Sequence, residues 1–306
     1  ELPDGASGYS AGLNEDGGLE DPSSRWGGIQ RALTTTDFES ANIEYIQFWI
    51  MDPFNEDSDN STGGDLYFNI GNVSEDILND SQLEFENGLP SETNLDLPTD
   101  TSSWAIYPDP STFNVVNAFD NSSGNYAMQD VGLDGMNSSM ERQFFADWLL
   151  DVEESGVLSP EAMTNLENDP SGDDFRYFRN PTSQALEENI IDRYKHFSLY
   201  EGNSNTDSPD GYPITSTTIP NSEDINQDIT LGTIESYYQY KVSMRPSDLG
   251  EANVGNNYIT DVFETLSQSA STNEQKPIKW YQFKIPVKEY EKRVGSISDF
   301  RSIRFM

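Results

Sequence analysis

The 306-residue chain contains no cysteine. That removes disulfides, thiolate nucleophiles and cysteine-ligated metals together, and with them any reading of redox compartment. Histidine occurs once, as His196, so there is no His cluster for zinc, and a Ser-His-Asp triad has no second clue to support it. Cationic side chains are scarce: 17 Lys and Arg stand against 54 Asp and Glu, a formal charge of −37. Such a charge repels nucleic acid and anionic lipid headgroups, so no nucleic-acid partner is expected. It favours cations and solubility in salty surroundings. No apolar run approaches the roughly twenty residues of a membrane-spanning helix. The N-terminal ELPDGASGYS has neither the basic start nor the apolar core of a signal peptide, so a surface protein would be seen here without its export signal. No Gly-rich phosphate loop follows a strand, and no internal repeat is read. Carboxylates are too abundant to single out a glycosidase pair. The chain is read as not an enzyme.

Aromatic residues, at 12%, argue for a packed core despite the acidity. The stretch Asn42–Asp76 holds two strong strand signals. Ile43, Tyr45, Trp49 and Met51 alternate with Ile46, Phe48 and Ile50, which predicts a strand covered on both faces. Leu66, Phe68 and Ile70 alternate with Asp65, Tyr67 and Asn69, which predicts a half-buried strand. The acidic loop between them, with Gly63-Gly64, reads the pair as a β-hairpin.

Around this stretch, residues 1–25 read as a flexible acidic arm and Trp26–Thr36 as an entering strand. A short helix is expected over Asp76–Phe85, a strand over Phe113–Phe119, and helices over Ser139–Glu154, Ser159–Leu166 and Pro181–Phe197, the second beginning with a Ser cap and Pro at its first position. The last third returns to β at Ile234–Met244, Tyr258–Leu266, Ile278–Val287 and Ile297–Met306, where Lys and Arg are concentrated. The fold class expected is mainly β: a jelly-roll-like β-sandwich with a helical, loop-rich insertion. Residues 26–306 form one domain, with core strands in 26–75 and 234–306 and the insertion in about 76–233.

Two stretches have the spacing of a twelve-residue calcium loop, which takes ligands from positions one, three, five, seven, nine and twelve, with Gly at six. In the first, Asp130, Asp134, the Met136 carbonyl, Ser138 and Glu141 fill positions one, five, seven, nine and twelve, with Gly135 at six and Gly132 leaving three without a side chain. In the second, Asp224, Asn226, Asp228, the Thr230 carbonyl and Glu235 fill one, three, five, seven and twelve, but Ile229 stands where Gly is wanted. A structural calcium is expected, against the bland reading that so acidic a chain matches such patterns by chance. Asp173-Asp174 beside Asp169 reads as a solvated turn.

Several phrases together carry a resemblance: RALTTTDFESANIEY, the stretch around Phe48, GNVSEDIL, FENGLP, NAFDN, QDVGLDG, EGNS, SEDINQDITL and the terminal ISDFRSIRFM. Over most of Trp26–Met306 the chain resembles the SprA/Sov family, the outer-membrane translocon of the type 9 secretion system of Bacteroidota. The resemblance implies a piece of a very large single-chain β-barrel that passes folded cargo across the outer membrane and serves gliding motility. It also implies partners: the remainder of the barrel chain, a small outer-membrane β-barrel protein, a periplasmic plug and exported cargo. A soluble, extracellular-facing domain with a structural role is the expectation. The alternative is a free-standing surface carbohydrate-binding module of jelly-roll type, with Trp49, Trp104, Tyr237, Tyr238 and Trp280 as its nominal platform.

Overall fold

The structure is a computed structural model. It describes residues 26–54, 62–86, 88–90, 96–109, 118–120, 125–129, 131–172, 220–268 and 275–306. These fall into two compact units: 30–74 with 233–306, and 26–29 with 75–172 and 220–232.

The first unit is the β-sandwich. Strands β1 (Tyr45–Met51), β2 (Gly64–Asn72) and, far along the chain, β5 (Ser236–Met244), β6 (Ile259–Gln268), β7 (Gln275–Pro286) and β8 (Lys292–Val294) form two antiparallel three-stranded sheets. Their orders are β1-β7-β6 and β2-β5-β8. Strands β1, β5 and β7 follow the period of two. Tyr281, Phe283 and Ile285 of β7 and Tyr238, Tyr240 and Val242 of β5 are buried, while the residues between them are partly exposed. These side chains share one core with Ile70, Ile259 and Ile303. Within it the Phe48 ring stacks on Phe283 at 5.0 Å and meets Phe68 at 4.7 Å. Outward, β2 and β5 oppose Asp65 to Ser243, Tyr67 to Lys241 and Asn69 to Gln239, a polar face.

Three expectations are corrected in this unit. The β1–β2 hairpin does not form: β1 pairs with β7 (Phe48 opposite Phe283) and β2 with β5 (Phe68 opposite Tyr240). The loop crosses between sheets because both strands carry core aromatics, and these face each other across the sandwich instead of sharing one face. Nor is β1 covered on both sides, since Tyr45 and Trp49 are nearly half exposed and the Lys284 ammonium sits 4.0 Å over the Tyr45 ring. The entering and closing strands are reduced to isolated bridges, Ala32 to Phe305 and Gly71 to Phe305. Gly71 is required there: at φ 151° its missing Cβ would lie 2.5 Å from the Ser236 carbonyl oxygen. The described strands make three-plus-three sheets; an eight-stranded jelly roll is not among them.

The second unit has little regular structure. It holds the short hairpin β3 (Thr99–Thr101) and β4 (Ile106–Pro108), together with helices α1 (Asn125–Gln129), α2 (Ser138–Phe144), α3 (Ala146–Ser155) and α4 (Pro160–Asn168). The single helix expected over Ser139–Glu154 is thus two, broken at Phe145, while Gly156 and the Ser159 cap end and begin helices where expected. Met136, Phe145, Trp148, Leu149, Val152 and Met163 form its apolar core. The helix expected over Asp76–Phe85 is absent. That segment is a chain of bends, because the Asp76 carboxylate takes the N–H groups of Asp80 and Ser81 and so replaces the helical bonds. The expectations for residues 1–25, most of Phe113–Phe119, Pro181–Phe197, His196 and Asp173-Asp174 lie outside the described residues.

Candidate cation site

Seven carboxylates are buried among the described residues: Glu75, Glu84, Glu86, Asp134, Glu141, Glu223 and Asp224. All belong to the loop unit. Its one described Lys or Arg, Arg142, donates to the Glu167 and Asn168 carbonyls. The carboxylates are therefore held chiefly by backbone N–H groups, an arrangement that suits a segment whose amides have no sheet or helix to bond. Glu86 accepts from Val131 and Asn221, Glu75 from Ile225 and Asn226, and Glu223 from Ile77, Leu78 and Glu84.

The last two reveal an internal repeat, which corrects the reading of none. Residues 74–84 (SEDILNDSQLE) and 222–232 (SEDINQDITLG) are identical at six of eleven positions, and they hold each other reciprocally. Glu75 accepts from Ile225 and Asn226 N–H at 2.9 and 3.2 Å, and Glu223 from Ile77 and Leu78 N–H at 2.6 and 2.9 Å. The Glu75 N–H donates to the Gly232 carbonyl and the Glu223 N–H to that of Glu84. Inside each copy the first Asp folds the chain identically: Asp76 accepts from Asp80 and Ser81, and Asp224 from Asp228 and Ile229. The second Asp then takes the N–H two residues on, Asp80 that of Gln82 and Asp228 that of Thr230. Positive φ recurs at equivalent places, Asn79 and Ser81 (56° and 63°) and Gln227 and Ile229 (62° and 61°). Ile229 thus adopts the left-handed conformation that its place in the calcium pattern demanded, at a steric cost of about 1–2 kcal/mol. The Asp224 bond to its N–H holds it there.

The copies differ where Glu84 in the first corresponds to Gly232 in the second, and Leu78 to Asn226. Glu84 is fully buried, and neither of its carboxyl oxygens has a hydrogen-bond donor. Burial first, and then Glu223 and Asp80 beside it, push its carboxyl up to about 9, while the Ser102 hydroxyl pulls the other way. Burial also raises Glu223. One oxygen each from Asp76, Asp80 and Glu223 lies within 4.8 Å of the others, and Asp80 Oδ2 is buried without a donor. In the second copy the Asn226 side-chain amide donates to Glu75 Oε2, leaving its own Oδ1 buried without a donor.

The residues of the two twelve-residue patterns are placed as follows. Asp130 lies outside the described residues. Asp134 and Glu141 come together on one residue: Ser171 gives its hydroxyl to Asp134 Oδ2 at 2.7 Å and its N–H to Glu141 Oε2 at 3.0 Å. Burial pushes the Asp134 carboxyl up to about 6, although Ser171 and the Met136 N–H pull it down. Met136 is buried and Ser138 opens α2. Asp224 and Asp228 are engaged by their own loop, and the Thr230 hydroxyl also bonds Asp228. Glu235 belongs to the sandwich unit, where it accepts the Ser74 N–H at 2.9 Å. The acidic group missed in the sequence, Asp76, Asp80, Glu84 and Glu223, had one usable signal: the recurrence of SEDIxxD.

Of the nominal sugar platform, Trp49 is exposed, Trp104, Tyr237 and Trp280 are half-buried, and Tyr238 is in the core against Phe300. No continuous aromatic platform results.

Residues 147–306, just over half of the chain, match the family SprA_N, described as motility related/secretion protein. The chain belongs to that family. The match takes in α4, the second SEDI copy and strands β5–β8. No curated protein matches the chain. Among the described residues no helix is long and apolar enough to cross a membrane.

Proposed function

We propose that this chain is a soluble, extracellular-facing domain of a SprA/Sov-like type 9 translocon, with a structural role in the conduit and no catalytic activity. The family match over 147–306 carries the reading. The sandwich supports a soluble domain over a piece of barrel wall. A lipid-facing strand turns its apolar residues outward in a band. Here β2 and β5 turn theirs into a closed core and present Asp65, Lys241, Gln239 and Asn69 outward. The rest of the barrel chain, the small outer-membrane partner, the periplasmic plug and the cargo are its partners in this reading. Calcium at the loop 130–141 belongs to the same proposal, and Glu141→Gln tests it: it should reduce a calcium-dependent rise in thermal midpoint, whereas in 224–235 the Asp224 and Asp228 oxygens are taken up by N–H groups of their own loop.

An antibody against this chain, used on fractionated cells, tests the main claim. The expected result is a band far larger than 34.3 kDa in the outer membrane, cleaved when protease is added to intact cells. A band of the chain's own size, released into the medium and retained on a glycan column, would instead establish the carbohydrate-binding module.

A further inference from the structure

Around Asp76, Asp80, Glu84 and Glu223, three buried carboxylate oxygens have no protein donor: both of Glu84 and Asp80 Oδ2. Glu84 is 0% exposed, both its oxygens lack a donor, and it faces Glu223 and Asp80. Among the described residues no Lys or Arg bonds Asp80, Glu84 or Glu223. A proton shared between Glu84 and Glu223 serves one Glu84 oxygen; the other, and Asp80 Oδ2, stay buried without a partner. Unpaired buried oxygens of this kind are costly. A divalent cation among Asp76, Asp80 and Glu223 gives Asp80 Oδ2 a partner and offsets the charge that surrounds Glu84.

We infer that Asp76, Asp80 and Glu223 form a calcium site, with the buried Glu84 beside them adding its charge, which the second copy, with Gly232 and Asn226 in the corresponding places, does not reproduce. The donors are all hard oxygens, which select calcium, magnesium or manganese over zinc or copper. The oxygens of Asp76, Asp80 and Glu223 lie within 4.8 Å of one another, close enough to share one ion. A site made of bends also suits an ion that tolerates irregular coordination of six to eight oxygens better than magnesium, which needs a near-ideal octahedron. None of the three ligands belongs to the two twelve-residue patterns, so the site goes beyond the calcium already proposed. It joins the two copies: two ligands come from residues 76–80 and one is Glu223, so bound calcium ties together segments about 150 residues apart in the chain.

Calorimetric titration of the chelator-treated chain with calcium chloride, with thermal melts in parallel, tests the inference. The wild type should bind calcium and melt higher in it. Glu84→Gln, which keeps size and burial, should bind at least tenfold more weakly and lose the rise in midpoint while remaining folded without calcium. Asp80→Asn, whose change is less buried, should behave alike, and it keeps the test sound if Glu84→Gln disturbs folding. Asp228→Asn in the second copy should bind as the wild type does. Calcium binding that survives Glu84→Gln and Asp80→Asn but is lost in Glu141→Gln would overturn the site and leave the loop proposal standing. No calcium response in the wild type would overturn both and leave a shared proton between Glu84 and Glu223.

Discussion

The two SEDI copies are one device with two outcomes. Each folds on an Asp that takes two N–H groups of its own bend, and each contributes a Glu that holds the opposite copy. Where Gly232 and Asn226 stand, the clamp closes with an amide donor against Glu75. Where Glu84 and Leu78 stand, a fourth carboxylate is packed against Glu223 without any donor. Reciprocal hydrogen bonding, then, fixes the shape of the loop unit, and a single glutamate decides whether that shape collects excess negative charge. The sandwich offers the larger contrast. It is held by rings and branched chains around Phe283 and buries no carboxylate among its described residues, so its few ion pairs, such as Asp65 with Lys241 and Arg245, stay near the surface.

The largest expected effect comes from cutting the clamp. Glu75→Ala strips the acceptor from Ile225 and Asn226 N–H and from the Asn226 amide, and should cost about 3 kcal/mol in denaturant unfolding, since each buried donor left unmade costs about 1–3 kcal/mol. Glu223→Ala unpairs three N–H groups but frees Glu84 of a like-charged neighbour. It should therefore cost less than Glu75→Ala in chelator and more than it in calcium. Equal costs in both buffers would break the distinction between the copies.

Next comes pH, read at a carboxylate outside both copies. Asp134 in the folded protein is pushed up to about 6, above its ordinary 3.8. Its contribution to stability is therefore fully present below about pH 4 and lost as pH rises to about 6, by at most about 1.4 kcal/mol per unit. Relative to wild type, Asp134→Asn should gain roughly 2–3 kcal/mol between pH 4 and pH 7. Asp65 in the sandwich runs the other way. Arg245 holds its carboxyl below the usual range, so its contribution is present above pH 4 and fades as acid protonates it. Denaturation followed at both sites across pH would show the opposite slopes.

The smallest effect concerns the left-handed positions. Ile229→Gly relieves a β-branched side chain at φ 61° that is largely exposed, and should stabilise by about 0.5–1 kcal/mol once glycine's greater unfolded freedom is subtracted. Ser81→Gly, at the equivalent place, should gain less, because serine tolerates the conformation better than isoleucine.

Much of the sandwich was legible in advance. Runs such as IKWYQFKIPV alternate cleanly, and β5, β6 and β7 appear where that alternation placed them. Pairing was not legible, because β1 and β2 look like neighbours in sequence while their partners lie more than 160 residues on. Of the acidic constellations, Asp134 and Glu141 were singled out and do meet at Ser171. Asp76, Asp80 and Glu84 fall within the segment Asp76–Phe85 whose pattern predicts a short helix, and charged residues are normally solvated. Nothing local in SQLEFEN announces that Glu84 is enclosed. Only the match to a second segment far along the chain, itself short and polar, points there.

Amide hydrogen exchange in calcium and in chelator, comparing residues 76–84 with 224–232, tests the central claim most directly. If the copies share a clamp but only the first holds an ion, calcium should slow exchange at Asp80, Ser81 and Gln82 well beyond any change at Asp228, Ile229 and Thr230, and leave the sandwich strands untouched. Equal slowing in both copies, or slowing confined to the second, would contradict it.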